Sequence, residues 1–403
     1  MDFSLSEEQR LMQDSLSRLL QKSYSFEQRR DYQRTATGWS QDVWRQSADM
    51  GLLALPFDER HGGLSGTALE TMIVMEQFGR AITLEPYLAT VVLAGGILRH
   101  AGSDEQNERI VPKIIDGTWT LSLAHEEATG HGEIAHVGTT AQWADGAWRL
   151  DGEKSFALHG GSADMLVVSA RVSGGRADKD GIALFLVDTG SPGVRISDYP
   201  LHDGQRAAVV SLTSAAVAPQ DVIGTPGTMF PVLERVHQEA IAAICAEAVG
   251  VMTEVHEMTV AYLKQRRQFG GPIGNFQALQ HRAAEMYIAL EQAKSMAMFA
   301  TIMSNSNRNN SSSSSGGRSN SGSSSERAQA VSAAKVQIGR SGRFIGEQAV
   351  QLHGGIAMAM EFKAGHYFKK LTVLDQFLGD ADHHLELLSQ SGGLFENGER
   401  AGG

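Results

Sequence analysis

Arg266, Gln268 and Phe269 lie close together in the chain and combine three complementary chemistries. An arginine guanidinium is a fixed, always-charged fork of N–H donors that suits a pyrophosphate. A glutamine amide adds a neutral donor, and a phenylalanine ring a flat apolar wall. Further on, Gln351-Leu352-His353 runs into Gly354-Gly355, which have no Cβ and so let backbone approach a ligand's phosphate or adenosine portion. Either stretch alone reads as ordinary structure, a solvated helix arginine or a helix-capping glycine pair. Together they favour a ligand. Asp380, Asp382, His383 and His384 are metal-ligand types, but adjacent histidines diverge on a helix. No metal is expected there; a cap by Asp380 or Asp382 at a helix N-terminus is the better reading. Glu247, among apolar neighbours, reads as buried or interfacial structure, and the Met296, Met298, Met303 run as core packing. Cys245 is the single cysteine, which excludes an intrachain disulfide framework and a Cys-rich zinc site and leaves a packed helix residue.

The elements that must carry these residues change in character along the chain. Residues 1–117 read as a helical domain: Ser6 with Gln9 forms a capping box, and Leu5, Met12, Leu16, Leu19 and Leu20 share one stripe. Further helices are expected over Gln41–Met50, Leu69–Phe78 and Pro86–His100. Residues 118–226 read as strands, with runs at Met165–Ala170, Ile182–Val187 and Ala207–Leu212 between Gly-bearing turns, as in an antiparallel sandwich or barrel. Residues 227–403 return to long helices, about Met229–Arg267, Asn275–Met303 and Glu326–His353, with another after Asp375, as in a bundle. The Ser-rich run 304–325 has nothing apolar to bury and reads as a solvated loop between two of them. The expected fold class is α+β.

Composition narrows the function. Asp plus Glu outnumber Lys plus Arg by 46 to 35, a formal charge of −11, which argues against a nucleic-acid partner. No apolar run reaches the ~18 residues of a membrane-spanning helix, and the opening MDFSLSEEQR lacks the apolar core of a secretory signal. A cytoplasmic protein is expected. A strand–GxGxxG–helix unit and a Walker A loop are both missing, which disfavours nicotinamide-type Rossmann and P-loop chemistry.

The stretch Tyr262 to Ile273, followed by Phe276-Gln277-Ala278-Leu279-Gln280 and then Gln351–Gly355, resembles the signature of the acyl-CoA dehydrogenase family. Gly51 to Pro56 with Gly62-Gly63, and Asp151-Gly152-Glu153-Lys154, support it. The resemblance implies an N-terminal α-helical domain, a middle β-barrel domain and a C-terminal four-helix bundle that tetramerises. It implies FAD as cofactor, with Arg266, Gln268, Phe269, Gln351, Leu352, His353, Gly354 and Gly355 reaching a neighbouring subunit's flavin and Phe156 stacking near its own. It also implies α-proton removal from an acyl-CoA thioester, hydride transfer to flavin and electron delivery to an electron-transferring flavoprotein.

The family's base is missing. By ungapped count, Leu378 stands where a Tyr-Glu-Gly-Thr-like segment carries the catalytic Glu, and Ala240 stands at the alternative base position. Neither side chain accepts a proton, and Glu239 points about 100° away around the helix. The family's Thr-Glu-Pro-x-x-Gly-Ser-Asp-like loop reads His125-Glu126-Glu127-Ala128-Thr129-Gly130-His131, and its Trp-Ile-Thr-Asn-like segment reads Phe156-Ala157-Leu158-His159. The half that completes a neighbour's flavin site is intact, while the half that holds its own flavin is altered. The pattern, including Ala333 to Arg343 and Gly379 to His384, resembles the small, non-catalytic subunits of heteromeric family members, the pimeloyl-CoA dehydrogenase type among them. The expectation is an α2β2-like tetramer with a catalytic subunit. The alternatives are an active self-tetramer using Glu239, Glu247 or Asp380 as base, and a catalytically dead CoA-thioester or protein-binding scaffold.

Overall fold

Ser6 and Gln9 open the first helix by exchanging hydrogen bonds: the Gln9 N–H donates to Ser6 Oγ at 3.2 Å, and the Ser6 N–H to Gln9 Oε1 at 2.9 Å. The same reciprocal cap recurs at Ser25/Gln28 and Ser103/Gln106, each at the start of a helix. The computed structural model describes residues 5–130, 132–305 and 321–392. Its helical N-terminal part comprises α1 Glu7–Ser23, α2 Phe26–Tyr32, α3 Gln41–Asp49, α4 Ala68–Ala81, α5 Gly95–Ala101 and α6 Asp104–Ile115. Strands follow: β1 Leu121–Ala124, β2 Thr140–Ala144, β3 Ala147–Leu158, β4 Met165–Arg171, β5 Ile182–Asp188, β6 Val194–Pro200, β7 Arg206–Val217 and β8 Val222–Ile223. Then come α7 Phe230–Gln265, the short β9 Arg267–Gln268 and β10 Gly271–Pro272, α8 Gln277–Asn305, α9 Ser321–His353, α10 Lys363–Gln376 and α11 Ala381–Gln390. The α+β class stands.

Packing divides the chain into two units. One comprises Ser23–Thr67 and Leu84–Ala240; the other comprises the chain up to Lys22, Ala68–Thr83 and the chain from Ile241 on. The first unit is built on the sheet, ordered β6-β7-β3-β2-β4-β5-β8, with β1 on β4. The expected strand runs lie within β4, β5 and β7. Most pairs are antiparallel, but β1 joins β4 in parallel, Leu121 opposite Met165, because the connection between them leaves the edge to form the β2–β3 hairpin. Leu150, Leu166, Val168, Phe185, Val210 and Leu212 fill the core.

In the second unit α9 lies against α8, α10 and α11. A Cβ on Gly79 would sit 1.9 Å from Glu247 O, and one on Gly250 1.9 Å from Glu76 O, so α4 and α7 meet backbone to backbone at two glycines. Cys245 is wholly buried, and Glu247, also buried, pairs with Lys370 at 2.7 Å. Lys335, likewise buried, donates its Nζ to the carbonyls of Leu374 and Asp375 at the end of α10. The helix expected after Asp375 is α11, while α10 ahead of it is an additional helix, and the Ser-rich loop is shorter than 304–325. Helix α8 continues to Asn305 and α9 begins at Ser321, because extending a helix that is already packed costs far less than starting one. The middle of that run, 306–320, lies outside the described residues. No described helix is long and apolar enough to cross a membrane.

Candidate cofactor site

In the second unit, α7 stops by turning its last residues into a hairpin. The Arg266 N–H still donates to Tyr262 O at 2.8 Å, while Arg266 O accepts from the Ile273 N–H at 2.8 Å. Strands β9 and β10 pair Gln268 with Gly271 and Arg267 with Pro272, leaving Phe269 and Gly270 as a two-residue turn. Their φ values are +51° and +87°, a left-handed pair of the kind that two-residue hairpin turns require. Glycine adopts this freely; a phenylalanine there costs about 1–2 kcal/mol. Phe269 is nevertheless 90% exposed, touched edge-on by Phe276 at 6.0 Å. An aromatic ring held out in a strained backbone signals a role other than stability. The exposed Arg266 guanidinium has no partner among the described residues, and Gln268 is exposed beside it.

The glycine motif is brought to the same helix end. His353, the last residue of α9, contacts the Tyr262 ring at 4.6 Å and the Phe362 ring at 5.1 Å. The contact joins two stretches that are distant in sequence. Gln351 is exposed and Leu352 buried, and a Cβ on Gly354 or Gly355 would meet nothing within 4 Å. An uncommitted guanidinium, an exposed aromatic face and an open backbone therefore occur in one unit, which is the donor set a dinucleotide needs.

Leu378 is also left-handed, with φ +57° followed by Gly379 at +91°. Its carbonyl accepts the His384 Nε2–H at 2.9 Å, and His384 Nδ1 accepts the Ser332 hydroxyl at 3.1 Å. Asp380 Oδ1 accepts the His383 N–H at 2.9 Å and caps α11, as its position suggested. Among the described residues no group of three or more His, Cys, Asp or Glu is arranged to hold a metal ion. Burial pushes His384 down to about 4. The folded state thus needs the neutral ring, so its stabilisation is complete above the ordinary value of 6.5 and is lost as pH falls from there through about 4. Acidification across that window is expected to lower stability by up to about 1.4 kcal/mol per pH unit from this group. Urea unfolding at several pH values should show the slope, and His384→Gln should flatten it.

In the sheet-bearing unit, Ala240 is fully buried. Its neighbour Glu239 binds Arg99 Nη2, Arg235 Nε at 3.0 Å and His100 Nε2 at 3.0 Å. Burial alone would raise this carboxyl, but the Arg99, His100 and Arg235 partners outweigh it and hold it well below the usual range. It is a counterion, unsuited to accept a proton. The altered loop is equally committed. Wholly buried Lys154 donates to Glu127 Oε1 at 2.7 Å, Ser169 Oγ at 3.1 Å and His125 O at 3.3 Å. Glu127 also accepts from the Gly138 N–H at 2.7 Å and from the Thr139 N–H and hydroxyl at 2.9 and 2.7 Å. Burial raises Glu127, yet Lys154 and Thr139 bring it down to about 2. His125 lies on Ser169 at 2.9 Å and against the His237 ring at 5.2 Å. Phe156 on β3 bridges to Glu126, Thr129 faces His136 at 3.0 Å, and Leu158 is buried before the left-handed His159. Ser169, Thr139, His237, Ser332 and His384 were not foreseen in these roles. Their partners are remote in sequence, and only the Lys154 segment carried a hint.

Family models for the acyl-CoA dehydrogenase N-terminal, middle and C-terminal domains match residues 6–118, 122–214 and 232–392. The chain belongs to the acyl-CoA dehydrogenase family. It is 24% identical over 393 residues to a probable acyl-CoA dehydrogenase, YngJ, of Bacillus subtilis, covering 96% of this chain and 98% of that one. Among solved structures it resembles a variant of the Tcur3481-Tcur3483 steroid ACAD at 26% identity and TM-score 0.83, covering 96% and 98% of the two chains. The ChsE4-ChsE5 complex from Mycobacterium tuberculosis matches in fold at 24% identity and TM-score 0.84, covering 99% and 100%.

Proposed function

We propose that this chain is the non-catalytic partner in a heteromeric acyl-CoA dehydrogenase, completing the FAD site of a catalytic subunit. One contrast carries the reading. At the base positions stand Leu378 and Ala240, with Glu239, Glu247 and Asp380 each engaged elsewhere, while Arg266, Gln268 and Phe269 stand exposed. The two-component name of the Tcur3481-Tcur3483 relative supports a divided enzyme. FAD, when bound, supplies the hydride acceptor for α,β-dehydrogenation of a CoA thioester, and an electron-transferring flavoprotein reoxidises it.

This chain's own residues would bind and orient. Arg266 would neutralise the pyrophosphate, the Gln268 amide would donate beside it, and Phe269 would wall the ring system. Gln351 to Gly355 would admit the adenosine portion. In the loop at 125–131, Lys154 and Glu127 satisfy one another, so that loop has no free polar group of theirs to offer a second flavin. Phe156 remains the residue through which such a flavin would be stacked. The acidic, single-cysteine composition fits the cytoplasm.

Co-purification with a catalytic acyl-CoA dehydrogenase chain tests the proposal. The expected result is FAD at one per two chains in the complex and none on this chain by itself. Bound FAD with acyl-CoA dehydrogenation by this chain alone would overturn it in favour of the self-tetramer, and a flavin-free complex would favour the scaffold.

A further inference from the structure

Most of the described methionines are buried or half-buried, as this side chain usually is. Met358 and Met360 are not: they stand 75% and 55% exposed in the stretch that joins α9 to α10. The backbone there is fixed. The Ala359 N–H donates to Ile356 O at 3.1 Å, the Phe362 N–H to Ala359 O at 3.0 Å, and His366 Nε2–H to Met360 O at 3.0 Å. The two thioethers differ in one respect. Lys369, half-buried on α10, brings its Nζ to 3.8 Å from Met360 Sδ, and no described carboxylate pairs with that ammonium. Met358 has no such neighbour among the described residues. A thioether sulfur is only a weak acceptor for a charged donor. An oxygen added to it on the side facing Nζ falls within hydrogen-bond reach, and a charge-assisted bond of that kind is a strong one.

We propose that Met360 is a reversible oxidation site whose sulfoxide oxygen is held by Lys369 Nζ. The oxidant is hydrogen peroxide. A sulfur lone pair attacks one peroxide oxygen, the Sδ–O bond forms as the O–O bond breaks, and hydroxide leaves. Lys369 donates a proton to that hydroxide, giving water, and takes back the proton that the new S–OH group sheds. Thioether and peroxide thus become sulfoxide and water, a two-electron oxidation of sulfur matched by the reduction of the peroxide. Oxidising a buried methionine forces a polar group into a core. Met360 already reaches solvent, so its sulfoxide disturbs no core and gains a bond from α10 to the turn ahead of it. The fold tolerates the change, and a methionine sulfoxide reductase can undo it. The modification does not depend on the proposed flavin-completing role, and its failure would leave that role untouched.

The free full-length chain is treated with dilute hydrogen peroxide, and sulfoxides are mapped by peptide mass spectrometry. Exposure alone puts Met358 first, whereas the ammonium puts Met360 first. Met360 sulfoxide is expected to form about three- to tenfold faster than Met358 sulfoxide. Lys369→Gln is expected to remove that lead and leave the Met358 rate unchanged. Lys369→Arg, which keeps a charged donor, should retain most of it. Met358 oxidised ahead of Met360, or a Met360 rate indifferent to Lys369→Gln, would overturn the proposal. In a Met358→Leu chain, oxidation at Met360 is expected to leave the thermal unfolding midpoint unchanged and to be reversed by a methionine sulfoxide reductase. A lowered midpoint, or a sulfoxide that resists the reductase, would make the change a lesion and overturn the proposal likewise. If a Lys369 variant fails to fold, the wild-type order of oxidation and the midpoint still decide.

Discussion

Replacing Arg266 by alanine is expected to loosen FAD from the assembled heteromer roughly 10- to 150-fold while leaving the free chain's stability unchanged. The affinity loss follows from removing charge-assisted hydrogen bonds to a pyrophosphate, worth about 1.5–3 kcal/mol. The unchanged stability follows from the geometry. The guanidinium is exposed and makes no hydrogen bond or ion pair with the described residues, and the hairpin is held by backbone bonds through Arg266 N and O. Arg266→Lys should recover only part of the affinity, because an ammonium lacks the planar fork. Phe269→Gly, three residues on in the hairpin turn, should raise stability by relieving the left-handed strain and still weaken FAD. Titration of apo-heteromer with FAD, alongside urea unfolding, reads all three. An arginine variant that binds FAD normally would remove the main support for the proposed function.

The largest expected effect on folding is at Lys370. Its ammonium pairs with Glu247 at 2.7 Å, with side chains only 1% and 5% exposed. Lys370→Met leaves the Glu247 carboxylate buried without its ammonium, and such a loss costs about 3–5 kcal/mol. Removing both charges, as in Lys370→Met with Glu247→Leu, should recover most of it, since the remaining cost of burying ions is then also gone. Urea midpoints of the two single variants and the double variant form the cycle. The same variants bear on catalysis. Were Glu247 a base, Glu247→Gln would abolish turnover of the heteromer; with a structural role it shifts the unfolding midpoint and leaves turnover per folded flavin intact.

The readable and unreadable parts divide along physical lines. The helix opened by Ser6 and Gln9, the strand runs in β4, β5 and β7, and the long helices α7, α8 and α9 follow from local periodicity and capping, which nearest neighbours decide. The helix at Lys363–Gln376 was missed because its stretch mixes apolar and charged residues without a clean stripe. Its buried Lys370 looks like a surface residue until Glu247, on another helix, is placed beside it. The loop at 125–131 reads as a loss of family residues, and His131 lies outside the described residues. At 125–130 the structure shows replacement instead, since Glu127 and Lys154, well separated in sequence, form a closed buried network with Thr139 and Ser169.

By itself the sequence determined the α+β layout and the two ligand-type motifs, because residue type and spacing suffice for each, and it put aliphatic residues where the family resemblance implies a base. Only the tertiary structure decided which remaining carboxylates are engaged, because ion pairing and desolvation depend on what distant segments bring within a few ångströms. It also decided that Phe269 is held out under strain and that His353 packs against both Tyr262 and Phe362. Backbone handedness and hydrogen-bond satisfaction belong to the folded chain, and the order of its residues does not express them.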